Sequence, residues 1–222
     1  MHILHQDDSV LPGFYGKYER VIENNANIAL VASRSFWIDE QGIIKWITQR
    51  VVGLENGSRS VSGLYYSWPL QCPAVVVKRS AYEILGVFRK DLKYTLDNEM
   101  WTRIISQMGG IVLPDVLARY RESNTNESNR LWKSTEALAD TQLVDDIFAA
   151  RYHDFDRSKA KRTLWKRAMR VAESMAQQND QETASAIRKY LRHNLPVSIL
   201  LRCEISQILR RIAMLLGLNS SY

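Results

Sequence analysis

The stretch Ile3-Leu4-His5-Gln6-Asp7-Asp8 joins a short apolar run to two adjacent carboxylates. Carboxylates at the end of a buried strand are hydrated only on their open side. They are well placed to hold a hard divalent cation, which prefers oxygen ligands and accepts bound phosphates. The alternative is a helix N-terminus, where Asp is favoured by capping and by the helix dipole. The pair alone leaves both interpretations open.

The composition is that of an ordinary globular protein. The chain has 222 residues, of which 45% are hydrophobic and 24% charged, enough for one sizeable domain or one and a half. Its two cysteines, Cys72 and Cys203, are too few for a secreted disulfide framework, so we expect a reducing compartment. No apolar run is long enough to span a bilayer, and the start lacks the features of a signal peptide. These features predict a cytoplasmic protein.

The net charge of +6 is unevenly distributed. Residues 1–129 hold 14 basic and 14 acidic side chains, whereas residues 130–222 hold 16 basic and 10 acidic ones. The whole excess therefore lies in the second part, and that part is the candidate for contact with anionic surfaces.

Residues 1–129 alternate between strand and helix patterns. Apolar residues at helical spacing predict a helix over about residues 12–24, with Pro12 in its first turn. A strand is predicted from Ile28 through Ile38, with a return strand over 43–47 after a turn. The β-branched run Cys72-Pro73-Ala74-Val75-Val76-Val77 predicts a buried strand.

Residues 50–70 contain three glycines and several serines, which predicts a long surface loop. Tyr65, Tyr66 and Trp68 lie near its end. They are interpreted either as loop packing or as a binding platform.

The segment after residue 79 carries the second acidic site. Ser80-Ala81-Tyr82-Glu83 has the spacing of a capping box and predicts a short helix ending at Gly86. A longer helix is predicted from Asp97, with Glu99 in its first turn and Gly109-Gly110 at its end. Strand pieces follow on both sides of Pro114.

After residue 130 the strand patterns stop and helical patterns continue to residue 217. One apolar stripe includes Leu164 and Ala168, and another includes Ala184 and Ile187. The last helix, opened by Pro196, is amphipathic and basic. It either packs on the other helices or lies on an anionic membrane surface.

The two acidic sites support one chemistry when they are taken together. A metal ion near Asp7-Asp8 would neutralise a leaving diphosphate. A carboxylate such as Asp97 would take a proton from an attacking hydroxyl. The pair of functions fits displacement at the anomeric carbon of a nucleotide-diphosphate sugar. The alternative for Asp97 is the cap of its own helix.

The ordered motifs of residues 1–129 resemble those of family-2 glycosyltransferases. The residues that carry the likeness are Leu4-His5-Gln6-Asp7-Asp8, Leu11-Pro12-Gly13-Phe14-Tyr15, Cys72-Pro73-Ala74-Val75-Val76, Ser80, Leu85-Gly86-Val87-Phe88, Thr95-Leu96-Asp97-Asn98-Glu99-Met100-Trp101-Thr102-Arg103-Ile104 and Leu117-Ala118-Arg119-Tyr120-Arg121. Their order and spacing together are fairly specific, although no single motif is decisive.

This resemblance implies a GT-A fold and inverting transfer from a nucleotide-diphosphate sugar. By likeness, Asp7 and Asp8, with His5 beside them, bind the donor and a Mg2+ or Mn2+ ion. Asp97 matches the catalytic base. Glu99 and Trp101 match the acceptor side.

Three departures from the family pattern matter. His5 stands where the family usually has another Asp, and Glu122-Ser123 stand where a His is common. The family also places about a hundred residues before the acidic motif, whereas this chain starts at it. The expected fold is therefore α/β: the C-terminal half of a GT-A-type mixed-sheet domain over residues 1–129, followed by an all-helical region over 130–222. We expect such a truncated chain to transfer sugar very poorly on its own.

The first functional hypothesis is a glycosyltransferase of surface polysaccharide assembly, a setting implied by the family. Its acceptor would be a saccharide or a lipid-linked saccharide, and its basic helices would contact the inner face of the membrane. The second hypothesis is a non-catalytic remnant or scaffold whose helical tail binds a partner or acidic lipid. A nucleic-acid partner is not expected, because no binding motif is present in the basic tail.

Overall fold

A computed structural model describes residues 1–54, 59, 61–66, 68–123 and 126–215, with side chains up to residue 209. Parts of the predicted 50–70 loop and the end of the predicted last helix lie outside these residues. The described residues divide into two units, which meet in sequence between Arg130 and Leu131.

The first unit contains all five strands of the described residues. In chain order its elements are β1 Ser9–Val10, α1 Phe14–Asn24, β2 Leu30–Ile38, β3 Ile44–Ile47, a 3-10 helix Cys72–Ala74, β4 Val75–Val77, α2 Arg79–Leu85, α3 Leu96–Met108 and β5 Gly110–Arg121. The helix α4, Glu127–Lys133, contains the division between the units.

The sheet is mixed, with the order β1-β5-β2-β3, and β4 also pairs with β2. The central strands β2 and β5 are parallel, with register from Leu30↔Gly110 to Ile38↔Arg121. β1 is antiparallel to β5, and β3 and β4 are antiparallel to β2. The predicted α/β fold with a mixed sheet is thus confirmed. The carboxyl ends of β2 and β5 lie at one edge of the sheet. Open α/β sheets generally bind their ligands at such an edge.

α1 covers one face of this sheet through its aromatic side chains. Phe14 and Tyr18 are 1% and 2% exposed and pack in one cluster with Val31 and Ile111 of the central strands. The Tyr18 hydroxyl donates a hydrogen bond to the carbonyl of Ala74 at 2.7 Å. The helix begins two residues after Pro12 instead of including it, because Gly13 has φ +83° and this left-handed conformation interrupts the helix.

β5 is one strand of 12 residues, whereas two pieces around Pro114 were predicted. Ala32 pairs with Val112 but Arg34 already pairs with Val116, so β5 carries two extra residues beside Pro114. Proline has no backbone N–H to donate to a neighbouring strand. Because the pairing of β5 with β2 is irregular beside Pro114, no such hydrogen bond is needed there. One further extra residue of β5 follows between Val116 and Ala118, and the pairing is then regular from Ser35↔Ala118 to Ile38↔Arg121.

Two local predictions around Cys72 and Ser80 need correction. Only Val75–Val77 form a strand, and Cys72–Ala74 form a 3-10 helix, since Pro73 fixes the backbone angle of a helical turn. α2 begins at Arg79 after the extended residue Lys78, and no side chain caps it. Ser80 therefore lies inside the helix, and the predicted capping box is absent there.

The described part of the 50–70 segment is packed against the sheet and does not lie free on the surface. Val51, Leu54 and Leu64 are at most 4% exposed. The carbonyl of Leu54 accepts a hydrogen bond from the N–H of Val112 in β5 at 2.9 Å. The apolar residues next to the glycines are therefore buried, which the glycine-rich composition did not predict.

The second unit, Leu131–Tyr222, is helical over its described residues. Besides the end of α4 it contains α5 Glu136–Arg151, α6 Arg157–Gln177, α7 Gln181–Asn194 and α8 Val197–Leu215. Asp156 and Asp180 cap α6 and α7, since each carboxylate accepts a hydrogen bond from a backbone N–H of the first turn. The two predicted stripes are buried, at Leu164 and Ala168 in α6 and at Ala184 and Ile187 in α7.

Candidate functional site

The acidic pair lies in a tight turn at the carboxyl end of the parallel strands. The N–H of Asp8 donates to the carbonyl of His5 at 3.2 Å, which closes the turn just before β1. The pairing of Ser9 with Arg119 then brings the turn beside the last residues of β5. The sequence that follows the carboxylates therefore fixes them at the edge where the carboxyl ends of β2 and β5 meet.

Arg121, the last residue of β5, holds this turn in place. Its backbone N–H donates to Oδ1 of Asp8 at 2.9 Å, and its Nε donates to the carbonyl of Asp7 at 3.1 Å. Its Nη1 donates to the carbonyls of Asp39 and Glu40 in the turn between β2 and β3. Arg121 was not predicted as a site residue, although it belongs to the motif that carries the family resemblance.

The side chain of Asp8 is buried and only partly satisfied. It is 1% exposed, and Oδ2 has no hydrogen-bond partner among the described residues. Nδ1 of His5 lies 4.0 Å from this oxygen. Burial raises the pKa of Asp8 to about 6, and the negative charge of Asp7 adds to this, while the hydrogen bond from Arg121 lowers the pKa. Keeping this buried carboxylate ionised is therefore unfavourable, and a bound cation would offset the unfavourable free energy.

His5, Asp7 and Asp8 each direct one ligand atom to the same place, and these atoms lie within 4.8 Å of one another. His5 and Asp7 are exposed, so the group is open to solvent on one side. Two carboxylate oxygens and one imidazole nitrogen suit Mn2+, since imidazole is a good ligand for transition metals and a poor one for Mg2+. The donor set fits the predicted cation.

Asp97 is half-buried in the first turn of α3. Its Oδ1 accepts a hydrogen bond from the N–H of Asn98 at 2.6 Å. The helix is preceded by Thr95 at the cap position, so Asp97 is not the cap residue. Backbone N–H groups of a first helical turn favour a negative charge there.

The thiol of Cys72 is influenced electrostatically by both acidic sites. Burial, together with the negative charges of Asp97 and Asp8, raises the pKa of its thiol to about 12. Both carboxylates therefore act electrostatically on this one thiol. The Cys72 thiol donates to the carbonyl of Ile3 at 3.7 Å, in the segment that leads to the acidic turn. Asp8 and Asp97, which are 89 positions apart in the sequence, thus both influence one buried thiol of the first unit.

Aromatic side chains lie beside the same region. Burial raises the pKa of Tyr120, and the charges of Asp8, Glu122 and Tyr94 add to the shift. The rings of Tyr94 and Trp68 have centroids 5.4 Å apart. Tyr65, in contrast, is 2% exposed and serves as loop packing. Of the three aromatic residues near the end of the predicted loop, Trp68 thus packs beside Tyr94, which influences Tyr120 electrostatically.

Glu99 and Trp101 point into the protein core. They are 1% and 4% exposed. Both carboxylate oxygens of Glu99 accept hydrogen bonds from Arg103, at 2.9 and 3.0 Å. Their predicted acceptor-side roles stay predictions, and the contacts present are those of a buried ion pair and a core aromatic residue.

Comparisons with protein-family models and with curated proteins returned no match. The function is therefore inferred from the residues and geometry of the site.

Replacing Asp8 by Asn is expected to stabilise the protein at high pH. Burial raises the Asp8 pKa from its usual 3.8 to about 6, so the free energy of unfolding falls as the pH rises between these values. Asn keeps an oxygen for the N–H of Arg121 but does not ionise. In metal-free buffer at pH 8, the variant should gain roughly 2–3 kcal/mol over wild type in urea unfolding, and the gain should vanish near pH 3.

The control for that experiment is Asp115→Asn, which removes a half-exposed ion pair with Lys17. It should change stability by less than about 1 kcal/mol at either pH. An Asp8→Asn variant that is less stable than wild type at pH 8 would show that burial of this carboxylate is not unfavourable.

Proposed function

We propose that the chain is a glycosyltransferase of the inverting, nucleotide-diphosphate-sugar type, and that its sheet belongs to a GT-A-type domain. The observation that carries this proposal is the electrostatic influence of both Asp8 and Asp97 on the thiol of Cys72, which contacts the carbonyl of Ile3 just before the acidic turn. A cation ligand and a proton acceptor near one another, beside the carboxyl ends of parallel strands, are what displacement at an anomeric carbon requires. The acceptor class is a saccharide or a lipid-linked saccharide.

His5, Asp7 and Asp8 would hold Mn2+, or Mg2+ with weaker use of the imidazole. The orphaned Oδ2 of Asp8 supports this assignment, since a buried carboxylate oxygen in a cluster of three ligands is unfavourable without a cation. When bound, the ion supplies positive charge that offsets the negative charge on a departing diphosphate.

The protein residues have separate tasks in this proposal. Arg121 fixes the orientation of Asp8 through its backbone N–H and of the turn through its guanidinium. Asp97 takes the proton from the acceptor hydroxyl as the oxygen of that hydroxyl forms a bond to the anomeric carbon. The bond from that carbon to the diphosphate oxygen breaks at the same time. Attack from the face opposite the leaving group inverts the configuration.

A Mn2+ titration tests the cation site. By calorimetry at pH 7.5, wild type should bind one Mn2+ per chain, and Asp8→Asn should weaken this binding by at least about tenfold. Because the Asp8 carboxylate must be ionised to act as a ligand, the wild-type affinity should fall as the pH drops below about 6. Thermal unfolding should show the same pattern, with Mn2+ stabilising wild type and not the variant.

Asp115→Asn is again the matched control and should bind Mn2+ as wild type does. Equal Mn2+ affinity of wild type and Asp8→Asn would remove the basis for the proposal. A wild-type chain that binds no Mn2+ at all would favour the second hypothesis, a non-catalytic scaffold.

A further inference from the structure

A row of side chains crosses the sheet at the end that carries the acidic turn. Trp37 of β2 is the register partner of Tyr120 in β5 on one side and of Trp46 in β3 on the other. Paired residues of neighbouring strands point to the same face of a sheet. The antiparallel pairing of β1 with β5, continued by one residue, sets Asp8 opposite Tyr120. The order across this end of the sheet is therefore Asp8, Tyr120, Trp37 and Trp46.

The three aromatic rings of Tyr120, Trp37 and Trp46, called here the aromatic row, pack against one another. The ring centroids of Trp37 and Trp46 are 4.3 Å apart and the rings are stacked, while those of Trp37 and Tyr120 are 4.6 Å apart. Tyr120 also forms a side-chain hydrogen bond with Ser128. Side chains whose rotamers are fixed by packing make a preorganised surface.

The aromatic row opens to solvent at its Trp46 end. Tyr120 and Trp37 are half-buried, whereas Trp46 is 45% exposed. β3 is the end strand of the sheet over the described residues, so one face of the Trp46 ring packs on Trp37 and the other has no strand beside it. A ligand can therefore reach Trp46 without displacing a strand.

Two polar atoms on the face of the aromatic row have no hydrogen-bond partner among the described residues. They are Nε1 of Trp37 and Oγ of Ser35, and both atoms are buried. Ser35 is fully buried and precedes Trp37 by two positions in β2, which places both side chains on one face of the sheet. Buried polar groups are nearly always paired, so these atoms favour a ligand that carries hydrogen-bonding groups.

The opposite face of the β2–β3 pair is chemically different. Its exposed side chains are the aliphatic ones of Ile44 and Ile47, which pair with the residues on either side of Trp37. An apolar contact with a protein partner would use that aliphatic face. The acyl chains of a lipid would leave Nε1 of Trp37 and Oγ of Ser35 without hydrogen bonds, and no helix among the described residues is long and apolar enough to cross a bilayer.

A saccharide has both properties that the face of the aromatic row requires. The C–H groups on one face of a pyranose ring pack against the electron-rich face of an aromatic ring, and its hydroxyls donate and accept hydrogen bonds. Ligand sites commonly combine aromatic surface with a few placed polar groups. We propose that the aromatic row is a saccharide-binding subsite, in which a pyranose ring stacks on Trp46 and the saccharide extends along the row toward Asp8.

This subsite rests on the proposed transferase function, because it assigns the row to the acceptor of that site. Neighbouring strands lie about 4.8 Å apart, so three strand spacings separate the positions of Trp46 and Asp8 by roughly 14 Å. A single pyranose ring is shorter than this span. The acceptor class is therefore an oligosaccharide or polysaccharide, with its reacting end at the acidic turn.

Fluorine NMR of the full chain labelled with 5-fluorotryptophan tests the subsite in the absence of Mn2+ and nucleotide sugar. The chain has six tryptophans, and the variants Trp37→Phe, Trp46→Phe and Trp165→Phe assign three of the resonances. The probes are maltohexaose, cellohexaose and chitohexaose, three neutral hexasaccharides that differ in linkage or substituent. At least one of them should shift the resonances of Trp46 and Trp37 and leave that of Trp165, in the helical unit, unchanged.

Variants of β3 then separate stacking from a general effect on the strand. Trp46→Ala should weaken binding of the hexasaccharide by at least about fivefold, and Trp46→Tyr should keep most of the affinity, because it retains an aromatic face. Ile47→Ala is the matched control, since Ile47 is the next residue of β3, is 41% exposed and lies on the opposite face. Its saccharide affinity should equal that of wild type, and both alanine variants should bind Mn2+ as wild type does.

The subsite is ruled out if none of the three hexasaccharides shifts the Trp46 resonance, or if Trp46→Ala binds the saccharide as wild type does. Equal losses in Trp46→Ala and Ile47→Ala would also rule it out. A wild-type dimer in sedimentation velocity that Trp46→Ala disrupts would assign the row to a second copy of the chain. Because the saccharide titration contains neither Mn2+ nor nucleotide, its failure is distinguishable from a failure of the cation site.

Discussion

Arg103→Met is expected to destabilise the protein by about 3–5 kcal/mol, because it removes the guanidinium that faces a buried carboxylate. Nε and Nη2 of Arg103 donate to the two carboxylate oxygens of Glu99 at 2.9 and 3.0 Å, and the side chains are 9% and 2% exposed. Arg103 also donates to the carbonyls of Leu85 and Val87, at the end of α2 and just beyond it. The substitution therefore also removes the hydrogen bonds that link α3 to the end of α2 and to the residues just beyond it.

Arg79→Met is the matched control for this loss. Arg79 and Glu83 form another Arg–Glu pair with the same four-residue spacing, but their side chains are 80% and 60% exposed. Solvent screens that pair, so its loss should cost less than about 1 kcal/mol. Urea unfolding of both variants gives the comparison. If Arg103→Met cost no more than Arg79→Met, the buried pair would not be a structural anchor of α3.

The same pair explains why the role of Glu99 could not be read from the sequence. Asp97-x-Glu99 presents two acidic residues in one helical turn, and both are candidates for chemistry. Which of them faces the site depends on the direction of α3, and that direction is set by residues far along the chain. Asp97 is half-buried near Cys72, whereas Glu99 is directed to Arg103 in the interior.

Periodicity in the sequence was a good guide to the regular elements. The apolar spacing predicted α3, whose residues Met100, Ile104 and Ile105 are fully buried, and the β-rich run from Ile28 predicted β2. The continuity of β5 through Pro114 was not predictable in this way. It depends on two extra residues that relax the pairing with β2, which is a property of two strands and not of one.

The candidate site was predicted in its parts but not in its arrangement. The acidic pair and Asp97 stand out locally, because carboxylates at the ends of apolar runs are unusual. Arg121, which holds the turn of Asp8, lies in a segment whose composition is simply polar. Cys72, one of two cysteines in the sequence, gains significance only in the folded chain, where both carboxylates influence its thiol.

Asp97→Asn is the second large effect that we expect. An amide of the same size cannot accept the proton of an acceptor hydroxyl, so the slow sugar transfer expected of the wild-type chain should fall by a further factor of about 10²–10⁴. The substitution leaves the ligands His5, Asp7 and Asp8 unchanged. Binding of a nucleoside diphosphate in the presence of Mn2+ should therefore stay within about twofold of wild type. The separation of binding from transfer distinguishes a catalytic base from a residue that only supports the fold.

The central claim is that the acidic pair and Asp97 serve one site, and one comparison tests it most directly. Mn2+-dependent binding of UDP and GDP, and transfer from radiolabelled nucleotide sugars, are measured in parallel for wild type, Asp8→Asn and Asp97→Asn. We expect Asp8→Asn to lose binding and transfer together, and Asp97→Asn to keep binding and lose transfer. The central claim is contradicted if wild type binds neither nucleotide with Mn2+, or if Asp97→Asn transfers sugar at the wild-type rate.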